Sequence, residues 1–212
     1  MNRQFKKFIS FEGIDFCGKT TQIGLLVNQL KTKGIDPLVV REPGGTAISE
    51  NIRQLLLSKN FAEMHSITET LLYEAARAQL VHQIILPALK KDRYVIADRF
   101  FDSTTSYQGF GRKLEITFLE KLHSFSTSEL TPFKTFFIDI TPLEAQKRRI
   151  QNKHAQDRLE SSGLNFFYRI REGFLYLCRT QPQRFIKIPG ENIPEEIAKN
   201  IWEKLLQIWE IS

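Results

Sequence analysis

The run Gly13-Ile14-Asp15-Phe16-Cys17-Gly18-Lys19-Thr20-Thr21 has the spacing G-x-x-x-x-G-K-[ST]. Such a turn aims successive backbone N–H groups and a helix N-terminus at an anion, Lys19 adds a point charge, and the Thr20 hydroxyl can ligate Mg²⁺. Its chemistry is the cradling of a polyphosphate. Glycine turns with an exposed lysine also occur by chance, so context decides, and here the apolar run "FISFE" precedes the turn while "TTQIGLLVNQL", of helical period, follows it. Phe16 is the misfit: a bulky aromatic in a loop whose backbone must approach phosphate oxygens.

A second apolar run, "YVIAD", closes in Asp98-Arg99. Helicases and motors usually close it with an acidic pair that holds Mg²⁺ and activates water. An acid beside a fixed cation suits the grip of a second phosphate, which favours phosphoryl transfer between two bound nucleotides over hydrolysis. A GTPase needs a guanine-reading N-K-x-D segment, and the nearest stretch, Asn152-Lys153-His154-Ala155, lacks the aspartate.

Short apolar runs alternate with longer segments of helical period, the pattern of a parallel sheet flanked by helices. Strands are expected at Lys7–Phe11, Pro37–Arg41, Tyr94–Ala97, Thr135–Ile140 and Arg184–Ile188, and helices at Lys19–Lys33, Ala47–Ser58, Thr68–Lys91, Glu115–Ser124, Pro142–Asn152, Leu164–Thr180 and Pro194–Trp209. The fold class is α/β: a three-layer P-loop NTPase fold on a five-stranded parallel sheet, one domain over residues 1–212 with a small lid at about 147–160. Ligands collect at the carboxyl edge of such a sheet. Ser124–Pro132 reads as a surface connection.

The charge balance of 30 basic against 24 acidic residues suits an anionic ligand without choosing one. Two cysteines, Cys17 and Cys178, are too few for a disulfide framework and fit a reducing compartment. No apolar run approaches the roughly 20 residues that cross a bilayer, and the start MNRQFKK lacks the apolar stretch of a signal peptide, so a cytoplasmic location is expected. The four histidines are dispersed without metal-ligand spacing.

Three further stretches, "REPGGT" at Arg41–Thr46, "YEAAR" at Tyr73–Arg77 and "DRFFDSTTSYQG" at Asp98–Gly109, make the chain resemble the thymidylate kinases, together with the phosphate loop and "DRLE" at Asp157–Glu160. The resemblance implies transfer of the γ-phosphoryl of ATP to dTMP, with Mg²⁺, in a homodimer, with no nucleic-acid or membrane partner. It implies that Gly13 to Thr21 bind ATP, with Lys19 and Arg99 catalytic and Thr20, Asp98 and Glu42 around the metal. Asp15 matches an acid near the acceptor's 3′-hydroxyl. Arg53 and Arg99 match the arginines on the acceptor phosphate, where a guanidinium fork binds two oxygens. Tyr73 matches an aromatic that stacks on thymine, and Arg77 a donor to a base carbonyl. Ser103 and Thr104 fall at the pyrimidine edge, Tyr107 where a ring crowds C2′, and Gln108 beside it. Glu42 is implied either at Mg²⁺ or in positioning Arg99.

The run "KRRIQNKHAQDRLE" is basic and poor in apolar residues after Ile150, as a flap over phosphates would be. The position of Phe16 is typically glycine in bacterial relatives and arginine in the eukaryotic type, so the resemblance moves the catalytic cation to the flap. Arg149 and Lys153 lead there, ahead of Arg148 and Arg158. Residue types alone leave two alternatives open: a kinase for another nucleotide or a nucleoside, and a nucleotide-dependent binding protein using its basic surface. For a dimer interface, the apolar stretches Ile52–Leu57 and Leu80–Leu89 are candidates that serve equally as core.

Overall fold

The computed structural model describes residues 3–152, 158–159 and 162–211. Its sheet holds five parallel strands in the order β2-β3-β1-β4-β5: β1 (Arg3–Glu12), β2 (Leu38–Arg41), β3 (Val95–Asp98), β4 (Leu130–Asp139) and β5 (Phe185–Pro189). Alternation along β1 builds the two faces. Ile9 and Phe11 enter one apolar cluster with Ile96, Phe136 and Ile138, while Phe8 enters the other with Val40, Val95 and Ala97. Burial on both faces is why the inner strands read as nearly continuous apolar runs, while the edge strands β2 and β5 each leave residues exposed.

The chain leaves β1 toward β2 and β3 on one side and β4 and β5 on the other. The loop after β1 therefore lies at the point where strand order reverses, where open α/β sheets bind ligands. Helices α1 (Lys19–Thr32), α2 (Ala47–Leu57), α7 (Pro142–Gln151), α8 (Leu164–Thr180) and α9 (Pro194–Trp209) follow the expected segments to within a residue or two.

Three expectations are corrected. The segment Thr68–Lys91 is not one continuous α-helix: α3 (Ser66–Leu80) widens into a π turn at Val81–Ile85 before α4 (Leu86–Lys90). Pro87 lacks an N–H and its ring crowds the preceding turn, which the wider turn accommodates. The stretch after Asp98 is helical, as α5 (Phe101–Thr104) running into a π-helix at Thr105–Gly111, where the expected segments place no helix between Lys91 and Glu115. Helix α8 packs against it at Gly173, where a Cβ would come within 2.9 Å of the Ser106 Cα. Finally, the connection Ser124–Pro132 shrinks to two residues. Helix α6 (Ile116–Thr127) runs on to Thr127 and β4 opens at Leu130, with Ser128 and Glu129 turning the chain at positive φ.

Leu80, Val81, Ile85, Leu86 and Leu89 all lie in the core, so Leu80–Leu89 is not a free apolar face.

Candidate active site

The loop after β1 is shaped by backbone sterics. Gly13 has φ 145°, and a Cβ there would meet the Ile138 carbonyl oxygen at 2.6 Å; Gly18 caps α1 at φ 98°. Lys19 is buried, its ammonium resting on the carbonyls of Gly13 and Ile14 at 3.1 Å each and on Cys17 Sγ at 3.6 Å. Cys17 and Ile14 themselves belong to the core, so only their backbone is offered to a ligand. Thr20 donates to Asp98 Oδ2 at 3.0 Å. A hydroxyl and a carboxylate in contact beside a polyphosphate cradle are a hard-oxygen set that fits Mg²⁺.

Arg99 is the hub of the cleft. Held at φ 73°, it donates through Nη1 to the Gly13 carbonyl at 2.8 Å and to Ser103 Oγ at 3.0 Å. Nη2 donates to Asp15 Oδ1 at 2.6 Å and to the Tyr107 hydroxyl at 3.2 Å, and Tyr107 donates to Asp15 Oδ2 at 2.8 Å. Burial alone would raise the Asp15 pKa, but Arg99 and Lys19 overcome it and hold the carboxyl below its ordinary value. The Tyr107 phenol is pushed well up by burial, against the pull of Arg99, so it remains a donor.

A second polar cluster lies on α3. Arg77 is almost fully buried and donates Nε to Glu42 Oε2 at 2.8 Å, Nη1 to Glu74, and Nη2 to Thr104 Oγ1 at 3.0 Å. Glu74 also contacts His123 Nδ1 at 3.0 Å and the Ser126 hydroxyl. Burial would raise Glu74, yet Arg77 and His123 take it down to about 2. Glu42 goes the other way: burial, only partly offset by Arg77, raises it to about 7. Among the described residues Glu42 thus bonds Arg77 and not Arg99, and its Oε1 is buried with no hydrogen-bond partner. Arg53 and Arg41 share one acceptor, the Pro43 carbonyl, at 3.0 and 3.2 Å. Gln108 turns its amide to Glu69 Oε1 at 2.9 Å.

One cleft of about 1190 Å³ is lined both by Asp15 to Thr21 and by Glu42, Arg53, Tyr73, Arg77, Arg99, Tyr107 and Gln108. The family model described as thymidylate kinase matches residues 11–201. The chain belongs to the thymidylate kinase family. The thymidylate kinase of Caldanaerobacter subterraneus subsp. tengcongensis is 51% identical over 87% of this chain and 87% of its own. That of Kosmotoga olearia is 42% identical over 94% and 95%. The crystal structure of the Ehrlichia chaffeensis thymidylate kinase superposes with a TM-score of 0.76 at 31% identity, covering 93% of this chain and 97% of that one.

In this thymidylate kinase family member the described cations of the segment expected to form a flap separate in space. Lys147, Arg148 and Arg149 belong to α7. Arg148 lines the main cleft, tied to Glu144 at 2.8 Å and the Gly190 carbonyl at 2.9 Å. Arg149 lines a neighbouring hollow of about 90 Å³ with Asp15, Phe16, Leu164 and Phe167. Arg158 is buried against the Leu56 carbonyl at 2.8 Å and Glu69 at 2.7 Å, so it is a structural tie and not a cation presented to the cleft. Lys153, Asp157 and Glu160 lie outside the described residues. Phe16 is half-buried, takes φ 63°, and borders both cavities.

Sequence reasoning missed Glu12, Glu69 and Arg41. Glu12 carried a signal, a carboxylate closing an apolar strand. Glu69, on an amphipathic helix, carried none: its burial depends on Gln108, Arg112 and Arg158 arriving from distant segments.

Proposed function

We propose that the chain is a thymidylate kinase that transfers the γ-phosphoryl of ATP to dTMP, giving dTDP and ADP on the route to dTTP. The observation that carries this is the continuity of the cleft. A triphosphate cradle and an arginine-rich acceptor end share one volume, joined by Asp15, which is bonded to Arg99 and Tyr107.

In this reading an oxygen of the dTMP phosphate attacks the γ-phosphorus, the bond to the β–γ bridging oxygen breaks, and ADP leaves. Little covalent help is needed, so the protein's part is positioning and charge stabilisation. Lys19 exchanges its carbonyl contacts for phosphate oxygens. Arg53 and Arg99 fix the acceptor phosphate, Asp15 holds Arg99 and meets the 3′-hydroxyl, and Tyr107 closes the sugar side. Tyr73 stacks on thymine, while Arg77, with Ser103 and Thr104, reads its edge. Gln108 backs the wall through Glu69. Thr20 and Asp98 would hold Mg²⁺, with the free Oε1 of Glu42 as a further oxygen; when bound, the ion neutralises charge on the phosphates.

Arg149, beside Asp15 and Phe16, is the flap cation best placed to approach the transferred group, with Lys153 the other. The flap over about 147–160 excludes water. The same reading takes the protein to be a cytoplasmic homodimer, supported by exposed Ile48 and Leu55 on α2, Ile67 and Leu71 on α3, and Phe118 and Phe125 on α6. Among the described residues no helix is long and apolar enough to cross a membrane. Chromatography of a reaction of ATP with dTMP tests the proposal: dTDP and ADP should appear in equal amounts. ADP accompanied by free phosphate and no dTDP would refute it.

A further inference from the structure

Glu12 follows the last apolar residue of β1, yet its carboxylate is fully buried. Oε1 accepts the backbone N–H of Phe100 at 2.7 Å, and Oε2 accepts the Ser103 hydroxyl at 2.6 Å. Ser103 Oγ in turn accepts from Arg99 Nη1 at 3.0 Å, and both residues line the cleft. The charged groups facing Glu12 are Asp102 in α5 and Arg99 just before it. Each already has an ion-pair partner: Arg99 has Asp15, and Asp102 has Arg184, from the turn before β5, through two hydrogen bonds of 2.6 Å. From β4, Thr135 presents an uncharged hydroxyl to Ser10 and Asp102. Among the described residues Glu12 has no ion-pair contact of its own. Burial, reinforced by the Asp102 charge, pushes the Glu12 carboxyl up to about 8 against the pull of Arg99 and its two hydrogen bonds.

We propose that Glu12 is a positioning residue whose protonation sets the direction of the Ser103 hydroxyl and, through it, the affinity for the acceptor nucleotide. The inference rests on the reading of the cleft as a dTMP site. With Glu12 ionised, Oε2 consumes the Ser103 hydrogen. With Glu12 protonated, Oε1 still has to accept from Phe100, so the proton resides on Oε2 and is donated to Ser103 Oγ. A hydroxyl oxygen has two lone pairs and can accept from both Glu12 and Arg99. Its own hydrogen is then released to an oxygen of the bound acceptor. The neutral carboxyl also removes a negative charge from behind an anionic ligand. Both effects have one sign: proton and acceptor bind together, so affinity falls as pH rises through the Glu12 transition.

Calorimetric titration of the full chain with dTMP alone, from about pH 6.5 to about pH 9, reads this linkage, whose slope is capped at tenfold per pH unit for one proton. In the wild type Kd should rise by about tenfold over the range. Glu12→Gln, whose amide donates to Ser103 permanently, should show no such rise; the difference between the two profiles removes the titration of the nucleotide itself. Ser103→Ala should shrink the rise to the part that acts through the Glu12 charge alone, and decides the matter if Glu12→Gln does not fold. A flat wild-type profile overturns the proposal, as does a slope that persists in Glu12→Gln or persists undiminished in Ser103→Ala; a purely structural Glu12 would lower thermal stability and leave the slope alone. Assaying phosphorylation with the same wild-type preparation separates the two readings. Binding with the stated slope but no dTDP sinks the kinase reading alone, and dTDP formation with a flat profile sinks the role of Glu12 alone.

Discussion

Arg77→Met removes the cation that serves two buried carboxylates. Its guanidinium is 1% exposed, bonded to Glu42, Glu74 and Thr104, and lies 5.8 Å from the centre of the Phe100 ring. Methionine keeps much of the packing volume, so the loss is electrostatic. Glu74 retains His123 and Ser126, but Glu42 is left without a side-chain donor among the described residues. Stranding one member of a buried pair costs about 3–5 kcal/mol. For a chain of this size that is a fall of roughly 6–20 °C in Tm. The loss depends on pH. Arg77 pulls Glu42 down, so without it the folded-state pKa climbs beyond about 7. A carboxyl raised in the folded state destabilises nothing below its unfolded value, and the penalty grows as pH climbs toward the folded one. Urea denaturation at fixed protein concentration should show a larger loss at about pH 8.5 than at about pH 6. Arg77→Met with Glu42→Gln should recover at least half of it, since the uncompensated charge is gone. A single-variant loss under about 1 kcal/mol, or a double variant whose losses merely add, would refute the argument.

Three shorter predictions follow. Wild-type Tm should decline from about pH 5 to about pH 8, because over that range folded Glu42 and Glu12, raised to about 7 and about 8, keep protons that the unfolded chain has lost, and it should fall in acid too, where Glu74 loses the stability its depressed pKa supplies; a Tm constant from about pH 5 to about pH 8 would contradict the burial of these carboxyls. At position 16, with φ 63°, Phe16→Gly should be more stable to urea than Phe16→Ala by about 1 kcal/mol, reversing their order in a helix, and the comparison leaves the lost ring out of the difference. Arg149→Ala should lower kcat by about 10²-fold with the KM for dTMP little changed, whereas Arg148→Ala, already tied to Glu144 and Gly190, should lower it less; the reverse order in a coupled kinetic assay would reassign the flap cation.

What was legible in the sequence has a physical pattern. The inner strands and the helices around the phosphate loop could be read because burial on both faces makes those strands apolar and the loop needs glycine at set positions. The helix after Asp98 was not legible, since its inward face is polar: Asp102, Thr104, Ser106 and Gln108 are buried by partners that sequence spacing does not reveal. The same holds within the site. Lys19, Thr20 and Asp98 announce themselves by motif, while Glu12 and Glu69 gain their places only when β1, α3 and α5 are packed together. Phe16 reads as an anomaly in sequence and remains one in three dimensions, a phenylalanine in the left-handed region bordering both cavities.

The central claim is that one cleft holds a triphosphate and an acceptor whose phosphate and base are both recognised. Release of ADP from ATP, measured with dTMP, dUMP, dCMP, dGMP and thymidine in turn, tests it most directly. Release should be fastest with dTMP and absent with thymidine, which lacks the phosphate that Arg53 and Arg99 would grip. Equal, slow release with every acceptor would contradict the account.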